Sequence, residues 1–249
     1  MFEIDKIILD HPTCSNCAHM TTDSNCEPLC KMMEDGQKIE YPKNSKLVYF
    51  SACNLWQESD SRKKLLQNLP FEIEGDELVA VKEEFENIEE VIVPFGIKKI
   101  CSDAFNTCIK LKRIFIPESV VKIETSAFSD CTSLREIQLP DSIETIEYGA
   151  FHHCTSLEKI NIPANLNQIK GLVFSDCFAL KTVLFSKESK LETIKKEAFM
   201  NCNRLEPIKF PQSLKKVEKW AFRWCDPLPE GTLAFPEGCD VDEDIFDPE

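Results

Sequence analysis

From about residue 81 onward the chain repeats itself, and this repeat restricts its possible folds more than any other feature. The pairs Ala104-Phe105, Ala127-Phe128, Ala150-Phe151, Val173-Phe174, Ala198-Phe199 and Ala221-Phe222 recur every 23 residues, with one step of 25. Four residues after each Ala or Val stands a cysteine (Cys108, Cys131, Cys154, Cys177, Cys202, Cys225), and three after that a leucine (Leu111, Leu134, Leu157, Leu180, Leu205, Leu228). An alternating apolar pair ending in proline follows, as in Ile114/Ile116-Pro117, Ile137/Leu139-Pro140 and Ile160/Ile162-Pro163. Two further apolar residues three apart, such as Val120 and Ile123 or Ile143 and Ile146, close the unit. A fixed period of roughly 20 to 50 residues marks a solenoid, in which each unit buries its apolar side only by stacking on its neighbours.

The alternation predicts one short strand per coil, because residues two apart on a strand share a face. Ile137 and Leu139 point inward. Stacked coils then form a parallel sheet whose outer face carries the variable residues. Proline ends each strand, since it has no N–H to continue a ladder. The Ala-Phe-x-x-Cys stretch places apolar residues at helical spacing, so a turn of helix is expected on the opposite wall, giving an α/β solenoid. The cysteine ladder reads as a packing column: residues stacked in parallel point the same way, and thiols are among the most buried groups.

In such a solenoid, function lies on the exposed faces. One outward column reads Ile92, Phe115, Gln138, Asn161, Leu184 and Lys209. Its neighbour reads Glu90, Arg113, Glu136, Lys159, Thr182 and Pro207. Apolar side chains at Ile92, Phe115 and Leu184 among mixed charges suit a protein-binding surface. The alternative is scattered surface hydrophobes, which need no explanation. The candidate partner-binding residues are Ile92, Arg113, Phe115, Glu136, Gln138, Lys159, Asn161, Leu184 and Lys209.

The stretch from Ala127 through Ile146 resembles the BspA-type leucine-rich repeat, and the resemblance covers roughly residues 71–238. It implies a right-handed leucine-rich-repeat coil of about seven turns and a role in protein interaction, with adhesion to cell surfaces in secreted members. Residues 78–100 resemble the degenerate opening coil of such arrays, with Val91, Val93-Pro94, Ile97 and Ile100 in register. The sequence departs from the pattern between Ser186 and Leu191, where a longer loop replaces the proline, and in the last coil, where Pro227, Pro229 and Gly231 delay the strand to about residue 233.

Residues 1–70 lack the period and hold clustered cysteines: Cys14-x2-Cys17, Cys26-x3-Cys30, then Cys53 followed by Trp56. A Cys-x2-Cys knuckle can grip one tetrahedral metal and a second pair can close the site. One structural zinc is expected, in a closed site that folds the segment and catalyses nothing. The fourth ligand is open between Cys30 and Cys53, and His11 and His19 flank the knuckle. The spacing also resembles small modules that hold a [4Fe–4S] cluster with Cys53 as last ligand, which would make the segment a redox or sensing site. A segment without metal is the third possibility.

Composition removes other classes. With 29 Lys+Arg against 43 Asp+Glu the net charge is −14, and no basic cluster supplies a phosphate footprint, so neither nucleic acid nor an anionic membrane surface is expected as partner. No apolar run approaches the ~20 residues of a membrane span, and the opening Met1 to Lys6 lacks the pattern of an export signal, which points to the cytoplasm and to reduced thiols. Four histidines and seven glycines leave little for Cys–His chemistry or a phosphate loop, and neither an enzyme nor a small-molecule substrate is expected. Residues 239–249 hold six carboxylates and no basic residue and read as a solvated acidic tail. The expected organisation is a cysteine-rich module (1–70), a solenoid (71–238) and that tail.

Overall fold

The computed structural model describes residues 70–82, 87–94, 96–225, 228 and 231–246. The chain opens with an antiparallel hairpin, β1 (Phe71–Glu74) and β2 (Glu77–Val81), turning at Gly75. Gly75 has φ +63, a left-handed conformation that glycine adopts without strain. Seven coils follow, each with a strand on two walls: β3 (Glu90–Ile92) and β4 (Lys99–Ile100), β5 (Arg113–Phe115) and β6 (Lys122–Ile123), β7 (Glu136–Gln138) and β8 (Thr145–Ile146), β9 (Lys159–Ile162) and β10 (Gln168–Ile169), β11 (Thr182–Phe185) and β12 (Thr193–Ile194), β13 (Ile208–Lys209) and β14 (Lys216–Val217), β15 (Leu233–Ala234) and β16 (Asp240–Val241). Coil contacts are parallel and in register, as in Arg113↔Glu136 and Lys122↔Thr145.

The array is therefore a parallel β-solenoid with two strands per coil, where one was expected. The second strand is only two residues long, too short for alternation to reveal it. Its inward residue is the closing apolar position, as with Ile123, Ile146 and Ile169, all fully buried.

The third wall also differs from expectation. The Ala-Phe-x-x-Cys stretch forms consecutive turns, and no helix occurs among the described residues, so the α/β label gives way to an all-β one. The reason lies in where the N–H groups go. Ala104, Asn106 and Cys108 donate to Cys101, Asp103 and Phe105 three residues back, while the alternate N–H groups of Asp103, Phe105 and Thr107 donate to the Thr125, Ala127 and Ser129 carbonyls of the next coil. A helix would direct every N–H within its own coil. Here the left-handed residues Asp103 (φ 58) and Thr107 (φ 60) break helical winding and turn alternate N–H groups along the solenoid axis. The same two left-handed columns run through later coils, for example at Ser126 and Asp130 and at Trp220 and Trp224.

Between the walls lies a column of fully buried phenylalanines. Phe105, Phe128, Phe151, Phe174, Phe199 and Phe222 stack with successive centroid separations of 5.0, 5.1, 5.7, 5.3 and 5.3 Å. The hairpin's Phe71 meets Phe105 edge-on at 5.9 Å and closes the first end. At the other end the acidic segment continues the coil instead of leaving it: β16 pairs with β14, Ile245 is buried, and Trp220 and Phe222 donate N–H bonds to Asp244 and Ile245.

The two strand walls are each interrupted once, at different seams. The short-strand wall divides between β8 and β10, and the long-strand wall between β11 and β13. At the second seam Pro207 has no N–H to give, and the chain has just passed the longer 186–190 loop. The first seam coincides with the widest ring spacing, Phe151 to Phe174.

Candidate protein-interaction face

The long-strand wall turns Ile114, Ile137, Ile160, Val183 and Ile208 inward and their neighbours outward. Phe115 is 51% exposed and Leu184 43%; the strand of Phe115 is paired on both sides, to β3 and β7, and that of Leu184 on one, to β9. Three coils separate them, roughly 14 Å at ~4.8 Å per strand. Around them Arg113, Glu136, Gln138, Lys159 and Lys209 are exposed. Arg113 pairs with Glu90, and Thr182 Oγ1 donates to Glu206 Oε2 at 3.3 Å.

Two of the residues expected on this face do not present themselves there. Ile92 is only 4% exposed, in a run with Val91 and Val93 that is buried throughout. Asn161 is half-buried and already engaged. Its Oδ1 accepts the Leu139 N–H at 2.8 Å and its Nδ2 donates to the Leu139 carbonyl at 2.6 Å, so the side-chain amide stands in for a peptide group between coils three and four. The candidate metal ligands Cys14, Cys17, Cys26, Cys30 and Cys53 lie outside the described residues.

The solenoid cysteines do more than fill space. The Sγ atoms of Cys131, Cys154, Cys177, Cys202 and Cys225 each donate to the carbonyl of the phenylalanine one coil earlier, at 3.2, 3.2, 3.3, 3.1 and 2.9 Å. Burial pushes the thiols of Cys131, Cys154, Cys177 and Cys202 well above their ordinary range, which keeps them protonated and poor nucleophiles. His153, next to Cys154 in sequence, turns the other way and sets Nδ1 2.6 Å from Asp130 Oδ1. His152 Nε2 lies 3.1 Å from Asp176.

One surface feature escaped the sequence reading. At coil six both left-handed columns carry tryptophan, where earlier coils carry residues such as Ser126, Gly149, Asp130 and Asn201. Lys196, Lys219 and Arg223 lie 4.4, 4.7 and 4.7 Å from the Trp220 ring centre, and Trp224 is 45% exposed under Arg223. The signal was present as two aromatic residues at positions that favour small or polar ones. A polar groove of about 600 Å³ opens on the short-strand wall where β8 and β10 separate, lined among others by Glu144, Gln168, Lys170 and Lys190.

Comparison with known proteins agrees with this architecture. A leucine rich repeat protein of T. pallidum, TpLRR, is similar in structure with a TM-score of 0.60 and 29% sequence identity, over 69% of this chain and 81% of that one. A leucine rich cell surface protein from Faecalibacterium prausnitzii A2-165 is similar with a TM-score of 0.53 and 26% identity; the match covers 68% of this chain but only 45% of that protein. No curated protein matches the sequence. The family described as BspA type leucine rich repeat region matches in six copies, over residues 82–190 and 185–244. The chain thus belongs to the BspA-type leucine-rich repeat family.

Proposed function

We propose that this chain is a non-enzymatic protein-interaction scaffold that binds its partner with the outward side of the long-strand wall. The observation that carries this reading is the pair of exposed apolar residues, Phe115 and Leu184, on strands hydrogen-bonded into one five-stranded parallel sheet. Large apolar side chains ringed by charge are the composition of an interface centre and its rim. A face already fixed by its ladders loses little conformational freedom when a partner docks. The partner is a protein and acts in the cytoplasm. The likeness to a protein described as a cell surface protein favours a second reading, display outside the cell with the same face in use.

The cysteines of residues 1–70 complete the proposal. Cys14, Cys17 and Cys26 with Cys30 or Cys53 form a four-thiolate set suited to one structural zinc, which would order the segment without catalysing a reaction.

The test is affinity capture with the intact chain and with the double variant Phe115→Glu, Leu184→Glu. Both changes sit on the surface, so melting is expected to be unchanged while capture is lost. Capture that survives in a folded double variant would remove this face as the binding site.

A further inference from the structure

The outward charges of the long-strand wall have an order that selects one kind of partner. From coil one to coil four the column reads Glu90, Arg113, Glu136, Lys159, alternating in sign at ~4.8 Å per strand. Alternation of this kind is self-complementary. When a second copy faces the first about a two-fold axis parallel to the strands, coil order reverses and each residue meets the mirror position of the same column. With the axis between coils two and three, Arg113 opposes Glu136 of the other copy and Glu90 opposes Lys159, so all four contacts across the interface join opposite charges. Moving the axis onto coil three sets Arg113 against Lys159, so this register is favoured over its neighbour.

The alternation is not used up within one chain. Glu90 and Arg113 pair with each other, but among the described residues Glu136 and Lys159 make no ion pair, although they are register partners. Phe115, half-exposed, sits two residues along the strand from Arg113 and so comes next to the two-fold axis, where it meets Gln138 of the other copy and lies diagonal to its own equivalent. The short-strand wall offers no such match: its outward column begins Lys99, Lys122, and both lysines are held by carboxylates of their own chain, Glu77 and Glu124.

The geometry points to a second copy of this chain as an occupant of the sheet face, in an isologous, antiparallel dimer centred between coils two and three. This rests on the reading of the sheet face as the binding face and names its partner. Four short strands cover roughly 20 by 10 Å before side chains are counted, less than half the ~800 Å² per partner of a standard interface. The dimer is accordingly weak, reversible and sensitive to salt.

Sedimentation of the full chain across the micromolar range tests this. The wild type is expected to shift from monomer to dimer at low salt and to return towards monomer at about 1 M salt, where the screening length is ~3 Å. Arg113→Glu and Glu136→Arg each weaken the dimer by an order of magnitude or more, because like charges then face each other across the axis. The double variant Arg113→Glu, Glu136→Arg exchanges the two signs and restores dimerisation. That rescue is specific to this register. A wild type that stays monomeric, single variants that dimerise normally, or a folded double variant that stays monomeric would each overturn the dimer. None of these results removes the sheet face as a site for another protein, which the Phe115 and Leu184 variant tests separately.

Discussion

Replacing Phe151 with alanine would test the core assignment most directly. Its ring is fully buried, stacked on Phe128 at 5.1 Å and 2° and on Phe174 at 5.7 Å and 12°. Removing the ring exposes or leaves unfilled about 150 Å² of apolar surface, worth roughly 4 kcal/mol at ~25 cal/mol per Å². Core truncations of phenylalanine cost about 3–5 kcal/mol. The upper part of that range is expected here, because the coils cannot close over the hole. Phe151 and His153 N–H groups hold the next coil through the Val173 and Ser175 carbonyls, fixing the spacing from the turn wall. The assay is equilibrium unfolding in urea, followed by far-ultraviolet circular dichroism, with Phe115→Ala as the surface control. That control is expected to cost under about 1 kcal/mol. A loss at Phe151 no larger than at Phe115 would refute the inward column.

Asn161→Ala leaves the Leu139 N–H and C=O without their partners and is expected to cost about 1–3 kcal/mol in the same assay; Asn161→Asp keeps the acceptor and loses the donor, so it falls short of restoring stability. Acid should also destabilise the solenoid. Burial alone would raise the Asp130 carboxyl, but hydrogen bonds from His153 and Ser129 bring it below its ordinary range, and lysines do the same for Glu124 and Glu218. A carboxylate depressed in the folded state contributes stability that is present above about pH 4 and lost as pH falls through the folded value. Melting temperatures measured from pH 6 downward should therefore drop below about pH 4, and less steeply in Asp130→Asn. For the N-terminal cysteines, elemental analysis of protein purified anaerobically should find one zinc per chain and no visible absorption; iron with a broad band would instead mean a cluster.

The long strands were legible because their inward residues are two apart and end at proline, as in Ile137, Leu139 and Pro140. The turn wall departs from the expected helix for a definite reason. Phe105, Cys108 and Leu111 are three apart, a spacing that consecutive turns and a helix share, and only the destination of the alternate N–H groups separates the two. Thr145–Ile146 is too short for any periodicity. The engagement of Asn161 depends on a residue one coil earlier, and the alternation that turns Ile92 outward carries no sign of its burial, so neither is visible in the local pattern. Of the candidate face, the exposed residues Arg113, Phe115, Glu136, Gln138, Lys159, Leu184 and Lys209 could be read by parity alone.

The staggered interruptions of the two strand walls have a mechanical consequence. Each seam that lacks one wall keeps the other two: β7 still pairs with β9 at the first, β12 with β14 at the second, and the turn wall crosses both. Among the described residues no seam is open on two strand walls. Under tension the load falls on the two thinned seams first, and they divide the solenoid into blocks of three, two and two coils. Pulled from its ends, the chain should lengthen in steps set by these blocks, and not coil by coil.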